Sequence, residues 1–422
     1  MAAATTRHFT KVHILACVCC ILALTLFIAV DTGFQVSTQY IQVATGTSHT
    51  TVFGYRIGTP VQNDVDSIQL DTPLIQNKND IYSEAQNKRL KTKDLAPPES
   101  LALPSTAKTP LQKTSHHQCQ SPTTNVAFIK THKTGSTTLE HIINRYGYAR
   151  NLSFVLNTYN PQNGHLSYQQ ITEDSPKTLF LPPIGVTQHD FEHFKYDMVA
   201  VHLRYNRTAM DTFMKPGTKY ITIIRDPGYQ FESAFSHFQM DDAYGEENKV
   251  YNTTQERIVH FLQNPEYYRE KLKDLMWEYD KGTRWYYARN NQIFDLGFEQ
   301  NFGDDTTQIL RYLERLDQEL DLVLITEYFD ESMLLLKYSL CWSMDDIIYV
   351  AKNVRPEREE ISESLRQNMR RWNTADTILY EHFNQTLWRK IKEIGPRFQN
   401  DLLIFKNRMK ETFETCGGGK EK

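Results

Sequence analysis

An excess of positive charge is missing from this chain of 422 residues, in which 47 Lys and Arg face 51 Asp and Glu for a formal net charge of −4. That balance excludes a general nucleic-acid binder, and any anion has to be held by charge gathered locally. No repeat of roughly 20–50 residues runs along the sequence, so a solenoid or propeller is excluded as well. Cysteine is scarce, with six in all. Cys17, Cys19 and Cys20 fall inside one apolar run, as small fillers or acylation sites. Cys119, Cys341 and Cys416 remain, enough for a single bridge and one odd thiol. What is present is length: the chain suffices for one large or two ordinary domains with a substantial core.

The apolar run is Ile14–Val30, 17 residues without a charge, preceded by Arg7 and Lys11 and followed by Asp31. Its charge asymmetry keeps the amino end cytoplasmic. The run is longer than the usual apolar segment of a cleaved signal, and no small-x-small site follows it. The expectation is a single-pass signal anchor at 14–30 with a cytoplasmic tail at 1–13, a cleaved signal peptide being the alternative. Its shortness suits a thinner early secretory membrane. Residues 31–118, rich in Thr, Ser, Gln, Asn and Pro and lacking periodicity, read as a flexible lumenal stem. Asn-x-Ser/Thr sequons at Asn151, Asn206, Asn252 and Asn384 fit a glycosylated lumenal domain. In an oxidising lumen the expected bridge joins Cys341 to Cys416, with Cys119 buried or paired between chains. Residues 417–422 read as a disordered tail.

The chemistry begins at Val126–Ile129, a buried strand that runs into Lys130-Thr-His-Lys-Thr-Gly-Ser-Thr-Thr138. Leu139, Ile142, Ile143 and Tyr146 then fall at i, i+3, i+4 and i+7, the apolar stripe of a helix. A strand, a short turn and a helix N-terminus together make an anion cradle: backbone N–H groups point at the ligand, and the helix end favours negative charge. Gly135 allows close approach, Ser136, Thr137 and Thr138 offer hydroxyls beside Thr134, and Lys130 and Lys133 supply charge. A P-loop kinase would need its lysine after the second glycine and a hydroxyl for Mg²⁺; here the lysine precedes a lone glycine, and no acidic partner in Walker order follows.

A second strand, Tyr220–Ile224, ends in Arg225-Asp-Pro227 and leads into a helix striped by Phe231, Ala234, Phe235 and Phe238. Pro227 suits the first turn. Further candidate strands at Lys195–Val201, which leads to His202, and at Asp321–Ile325 continue the alternation. Asp330 could cap the Leu-rich helix that follows the latter. The expected class is α/β, a mostly parallel sheet with helices on both faces and ligands beyond the carboxyl ends of its strands.

The order Lys133-Thr-Gly-Ser-Thr-Thr138 resembles the 5′-phosphosulfate loop of sulfotransferases, and Arg225 with Ser233 resembles their 3′-phosphate site. Ile129–Thr134, Ala288-Arg-Asn-Asn-Gln-Ile-Phe-Asp-Leu-Gly297, Glu327–Ser332 with Cys341-Trp342, and His382-Phe-Asn384 with Trp388-Arg-Lys390 are similar to segments of the galactose 3-O-sulfotransferases. The likeness spans roughly Cys119 to Cys416, and Gly135-Ser136 stands where some relatives carry Ala-Ser.

The resemblance implies a P-loop-like sulfotransferase fold at 119–416 and a type II Golgi membrane enzyme. It also implies 3′-phosphoadenosine 5′-phosphosulfate as co-substrate, no metal, and sulfation of the 3-hydroxyl of a β-galactose. Galactosylceramide or a related glycolipid is the acceptor put first. Galactose on glycoprotein glycans, a uronic acid in glycosaminoglycan and an inactive glycan-binding relative stay open, as does a homodimer. In-line transfer at sulfur needs charge neutralisation on the departing phosphate oxygen and a base for the sugar hydroxyl. Lys133 is the choice for the first role and His132 for the second, with His202 next and Glu327 and Asp330 behind it. Trp285, Tyr286, Arg289 and Asn290 form a candidate sugar-binding cluster, and Lys352 and Arg355, after an expected Tyr349-Val-Ala strand, could close over the nucleotide.

Overall fold

The computed structural model describes Cys119 and residues 121–157, 171–191, 193–242, 245, 250–274, 276–277, 280–281, 284–299, 304–350 and 359–416. The expected membrane run at 14–30, the flanking tail, the stem, Cys17, Cys19, Cys20, Lys352, Arg355 and the final 417–422 lie outside the described residues. Among the described residues no helix is long and apolar enough to cross a membrane.

Leaving unlabelled the helix Pro265–Asp274 and most helices of five residues or fewer, the elements in chain order are β1 (Val126–Ile129), α1 (Ser136–Tyr148), β2 (Met198–Val199), β3 (Lys219–Ile224), α2 (Pro227–His237) and α3 (Thr254–Gln263). The two-residue strands β4 (Met276–Trp277) and β5 (Asp280–Lys281) follow, then α4 (Asn291–Asp295), α5 (Thr306–Glu319) and β6 (Leu322–Ile325). The chain finishes with α6 (Phe329–Leu340), α7 (Glu363–Trp372), α8 (Thr374–Ile394) and α9 (Pro396–Cys416). β4 and β5 pair antiparallel with each other.

The main sheet has the order β2-β1-β3-β6, and every pairing in it is parallel. Successive strand residues face opposite sides, and all four residues of β1 and of β6 are buried, so both faces of the sheet are covered. The chain leaves β1 for β2 on one side and reaches β3 on the other. This reversal opens a crevice beyond the carboxyl ends of β1 and β3, the usual ligand position in an open parallel sheet. The stripe of α1 packs as its spacing requires, with Leu139, Ile142, Ile143 and Tyr146 at most 1% exposed. A second cluster, built on Phe231, Phe235, Phe261, Tyr268 and Met369, lies between α2, α3 and α7.

Four expectations are corrected. β2 is Met198–Val199 and not the whole of 195–201, because Tyr196 gives its N–H to Phe213 (2.8 Å) and Asp197 is drawn to Ser153 and Lys215. The Tyr349-Val350 stretch forms no strand; Tyr349 turns its hydroxyl to Asp330 (2.8 Å). Asp330 does not cap α6, whose N-cap is Tyr328 without a side-chain bond. The disulfide joins Cys119 to Cys341, with Cα atoms 5.4 Å apart, in place of Cys341–Cys416. Cys341 ends α6 in the left-handed region at φ 56°, and the leading chain is laid against it by Thr123 N–H to Leu340 O (2.8 Å) and Trp342 Nε1 to Thr123 O (2.9 Å).

Candidate functional site

The loop after β1 is built by its own hydroxyls. Thr131 Oγ1 bonds the Ile223 carbonyl and lies 2.8 Å from Thr134 Oγ1, while Ser136 Oγ donates to Thr131 O at 2.7 Å. These bonds curl the backbone tightly enough that Lys133 takes φ 61° and Gly135 φ 75°. At Gly135 a Cβ would meet nothing closer than Thr326 Cγ2 at 3.5 Å, so the requirement for glycine there is conformational. Gly135 is also the N-cap of α1. It makes no side-chain cap, and the first turn carries no acidic residue. Amide donors at that end therefore lack the side-chain acceptor that usually satisfies them, which suits an incoming phosphate or sulfate group. Thr137 and Thr138 stand in the first turn of α1, beside those donors. Thr134, fully buried, and Ser136 are spent on shaping the loop.

The loops after β3 and β6 close on the first. Arg225 Nη1 donates to Lys133 O at 3.3 Å, and Thr326 Oγ1 bonds both Thr134 O and Ile224 O. Arg225 Nε is 3.8 Å from Glu327, whose carboxylate accepts the Asp226 N–H at 3.3 Å. Burial lifts the Glu327 carboxyl to about 7 over the opposing pull of Arg225, although 26% of its side-chain surface stays open. Asp226 caps α2 through Gly228 N–H (2.8 Å) and is held by Arg370 at 3.0 Å. Arg366 pairs with Glu232 at 2.9 Å and stacks its guanidinium 3.8 Å from the Tyr229 ring.

The loops after β1 and β3 hang from α4. Gln292 clamps the Arg225 backbone, accepting its N–H at 2.7 Å and donating to its carbonyl at 2.8 Å. Asn291 accepts from Gln230 (3.0 Å), which also donates to His132 O (3.1 Å). Asp295 Oδ2 accepts the backbone N–H of His132 and lies 2.8 Å from its Nδ1. The His132 ring stacks on His202, centroids 4.0 Å apart and 9° from parallel, and meets the edge of Tyr287 at 4.9 Å. His202 Nδ1 lies 3.1 Å from Lys130 O, so that nitrogen is the donor. Sequence reasoning gave Asp295, Gln230 and Gln292 no role. Asp295 and Gln292 entered only as members of Ala288–Gly297, a segment singled out for its resemblance to the family.

The structure thus brings Lys133, His132, His202, Thr134, Gly135, Ser136, Thr137, Thr138 and Arg225 to one crevice. Lys130 is different: its ammonium is 2.5 Å from Glu140 on α1, so its charge is already matched. Ser233 is half-buried on α2. Asn290 corrects the sugar-contact expectation. Only 8% exposed, its Oδ1 accepts Ala375 N–H (3.1 Å) and Asp376 N–H (3.4 Å) at the start of α8. Arg289 pairs with Asp304 and lies 4.5 Å over Trp372. Tyr286 stacks on Phe294 (4.9 Å), and Trp285 meets Trp372 edge-on (6.2 Å). Of the sequons, Asn151 and Asn252 are exposed, Asn206 caps a helix through Ala209 N–H, and Asn384 is half-buried in α8. Among the described residues no group of three or more His, Cys, Asp or Glu could hold a metal ion.

Comparison with known proteins gives a match of residues 81–421 to the family model described as galactose-3-O-sulfotransferase. Galactose-3-O-sulfotransferase 3 of Mus musculus is 34% identical over 277 residues, 64% of this chain and 58% of that relative's length. Galactose-3-O-sulfotransferase 2 of Mus musculus is 31% identical, covering 70% of each chain. Galactosylceramide sulfotransferase of Bos taurus is 30% identical over 66% of this chain and 60% of that one. A solved sulfotransferase from Alicyclobacillus acidocaldarius, at 15% identity, covers 63% of this chain and 98% of its own with a TM-score of 0.32. The fold assignment rests on the strand order and not on that slight likeness.

Proposed function

Because this chain belongs to the galactose-3-O-sulfotransferase family, we propose that it transfers the sulfuryl group of 3′-phosphoadenosine 5′-phosphosulfate to the 3-hydroxyl of a galactose without a metal. One observation carries the reading: two strand-end anion loops, one with an uncapped helix N-terminus and Lys133, the other with Arg225, are tied within hydrogen-bond distance of each other beside an imidazole. The nucleotide supplies the sulfuryl group and a phosphate leaving group. Around it, the first turn of α1 with Thr137 and Thr138 binds the 5′ side, Arg225 and Ser233 take the 3′-phosphate, and Lys133 neutralises the departing oxygen. His132 Nε2 receives the proton of the sugar hydroxyl; His202, stacked on it, keeps the ring in place.

Galactosylceramide or a related glycolipid remains the acceptor put first. Relatives named for galactose and for galactosylceramide stand at 30–34% identity, so identity alone does not separate lipid from protein-linked galactose. The Golgi membrane with a lumenal catalytic domain is the proposed location, supported by the charge-flanked run Ile14–Val30, the sequons and the Cys119–Cys341 bridge, which needs an oxidising compartment. The test offers the full-length chain labelled donor with galactosylceramide, lactosylceramide, an N-acetyllactosamine glycan or heparan, without added metal. Label at galactose O3 is expected; no transfer to any galactose acceptor by folded protein that binds the nucleotide sinks the reading.

A further inference from the structure

We infer that Asp295 is the positioning residue for His132, fixing which imidazole nitrogen carries the hydrogen and matching the charge that the ring acquires during transfer. The inference rests on the reading of His132 as the base. A single oxygen, Asp295 Oδ2, sits 2.8 Å from the backbone N and 2.8 Å from the ring Nδ1 of His132. A carboxylate can only accept, so the hydrogen of the neutral ring resides on Nδ1 and the lone pair is left on Nε2. The same oxygen anchors the backbone of the residue just before Lys133, whose φ of 61° aims the adjacent lysine. One side chain therefore ties the base and the proposed phosphate-side cation to a common support.

That support is rigid. The Asp295 side chain is 2% exposed and ends α4, whose first amides, Gln292 N–H (3.1 Å) and Ile293 N–H (2.8 Å), are capped by Asp376. The ring is further fixed by the stack on His202 and the edge of Tyr287. In the step itself, the sugar O–H bond breaks with its proton moving to Nε2. The sugar oxygen forms a bond to sulfur, and the bond between sulfur and the phosphate oxygen breaks, releasing 3′-phosphoadenosine 5′-phosphate. His132 becomes an imidazolium, and Asp295 faces its charge through Nδ1–H until the Nε2 proton passes to water. An asparagine in this place could still accept the backbone N–H but would bring no charge to the ring, as with the aspartate of a Ser-His-Asp triad.

The experiment uses the full-length chain and compares Asp295→Asn, Asp295→Glu, His132→Ala and the His132→Ala, Asp295→Asn pair. Asp295→Asn is expected to lower kcat by about 10²–10⁴-fold with the donor KM within about threefold of the parent. The paired variant should be no slower than His132→Ala alone, since two residues acting as a unit are not additive. Asp295→Glu should recover part of the rate. Independently, ¹⁵N resonances of labelled histidine should show His132 of the unaltered chain in its Nδ1–H form, a reading that needs neither turnover nor a variant. An Nε2–H ring, a kcat kept within a few fold in Asp295→Asn, losses that multiply in the paired variant, or a donor KM that rises in step with the fall in kcat would each overturn the inference. No sulfate transfer by the unaltered chain would overturn the proposed function instead, and the tautomer would still be read.

Discussion

Two lysines three positions apart have opposite prospects because of where each stands. Lys130 lies 2.5 Å from Glu140, whereas Lys133 stands at the turn whose carbonyl is held by Arg225. Lys133→Ala is expected to lower kcat by about 10²–10³-fold, the usual cost of removing one group aimed at developing charge. Lys130→Ala should leave kcat within a few fold and act on stability. Measuring both variants with one donor and acceptor decides it; equal losses would put Lys130 back in the site. Arg225→Ala should weaken 3′-phosphoadenosine 5′-phosphate binding by about 10–100-fold in calorimetry, in line with a charge-assisted bond. The order Lys-Thr-Gly-Ser made Lys133 and Gly135 legible, since the chemistry and the φ requirement are local. Lys130 was read as a ligand group because its neutraliser sits ten residues on, inside a helix. Asp295 was illegible for a stronger reason: its partner is 163 residues away, and an Asp in an apolar stretch has no local signature.

Helices α4 and α8 cap each other. Asn290 accepts the first amides of α8, and Asp376, in the first turn of α8, accepts those of α4. Burial raises the Asp376 carboxyl to about 7 against the pull of those two N–H bonds. Asp376→Ala should orphan two buried donors at about 1–3 kcal/mol each and loosen the segment that carries Gln292 and Asp295. The elevated pKa also has a sign. Between its ordinary value of 3.8 and about 7 the folded chain keeps a proton that the unfolded chain has released, so this contribution to stability declines as pH rises through that interval and is flat above it. Asp376→Asn carries no such proton, so its Tm relative to the parent should improve from about pH 5 to about pH 8; a constant gap would show that Asp376 does not titrate there. Among the elements with strong local pattern, β1, β3 and β6 were legible to within a residue, and α1 was legible through its buried stripe. β2 was not, because Asp197 and Tyr196 answer to Ser153, Lys215 and Phe213 instead of to the sheet, and an apolar run cannot announce where its hydrogen bonds go.

At the scale of the whole molecule, the Cys119–Cys341 bridge closes the described domain on itself across a sequence separation of 222 residues. It fastens the chain just before β1 to the end of α6, and Trp342 continues the seam by stacking on Tyr146 of α1 at 3.7 Å. The bridge therefore ties the leading chain to α6, the helix that follows β6, and the Trp342–Tyr146 stack carries the tie on to α1, the helix that follows β1. Which cysteines pair was hidden in the sequence because pairing follows the proximity of chain ends, and that depends on the completed sheet. Loss of a native bridge of this span costs about 2–5 kcal/mol. Cys341→Ser should accordingly lower Tm, while Cys416→Ser should leave it near the parent. Peptide mapping after non-reducing digestion supplies the independent check: a Cys119–Cys341 linked peptide is expected, and a Cys341–Cys416 peptide would return the bridge to the carboxyl-terminal helix. The same map reads the glycans. Asn151 and Asn252 are exposed, whereas the Asn384 side-chain oxygen is buried within α8. Given the lumenal location proposed above, and since glycan transfer needs the acceptor amide to be reachable, occupancy is expected at the two exposed sequons and not at Asn384; a glycan on Asn384 would mean that α8 forms only after modification.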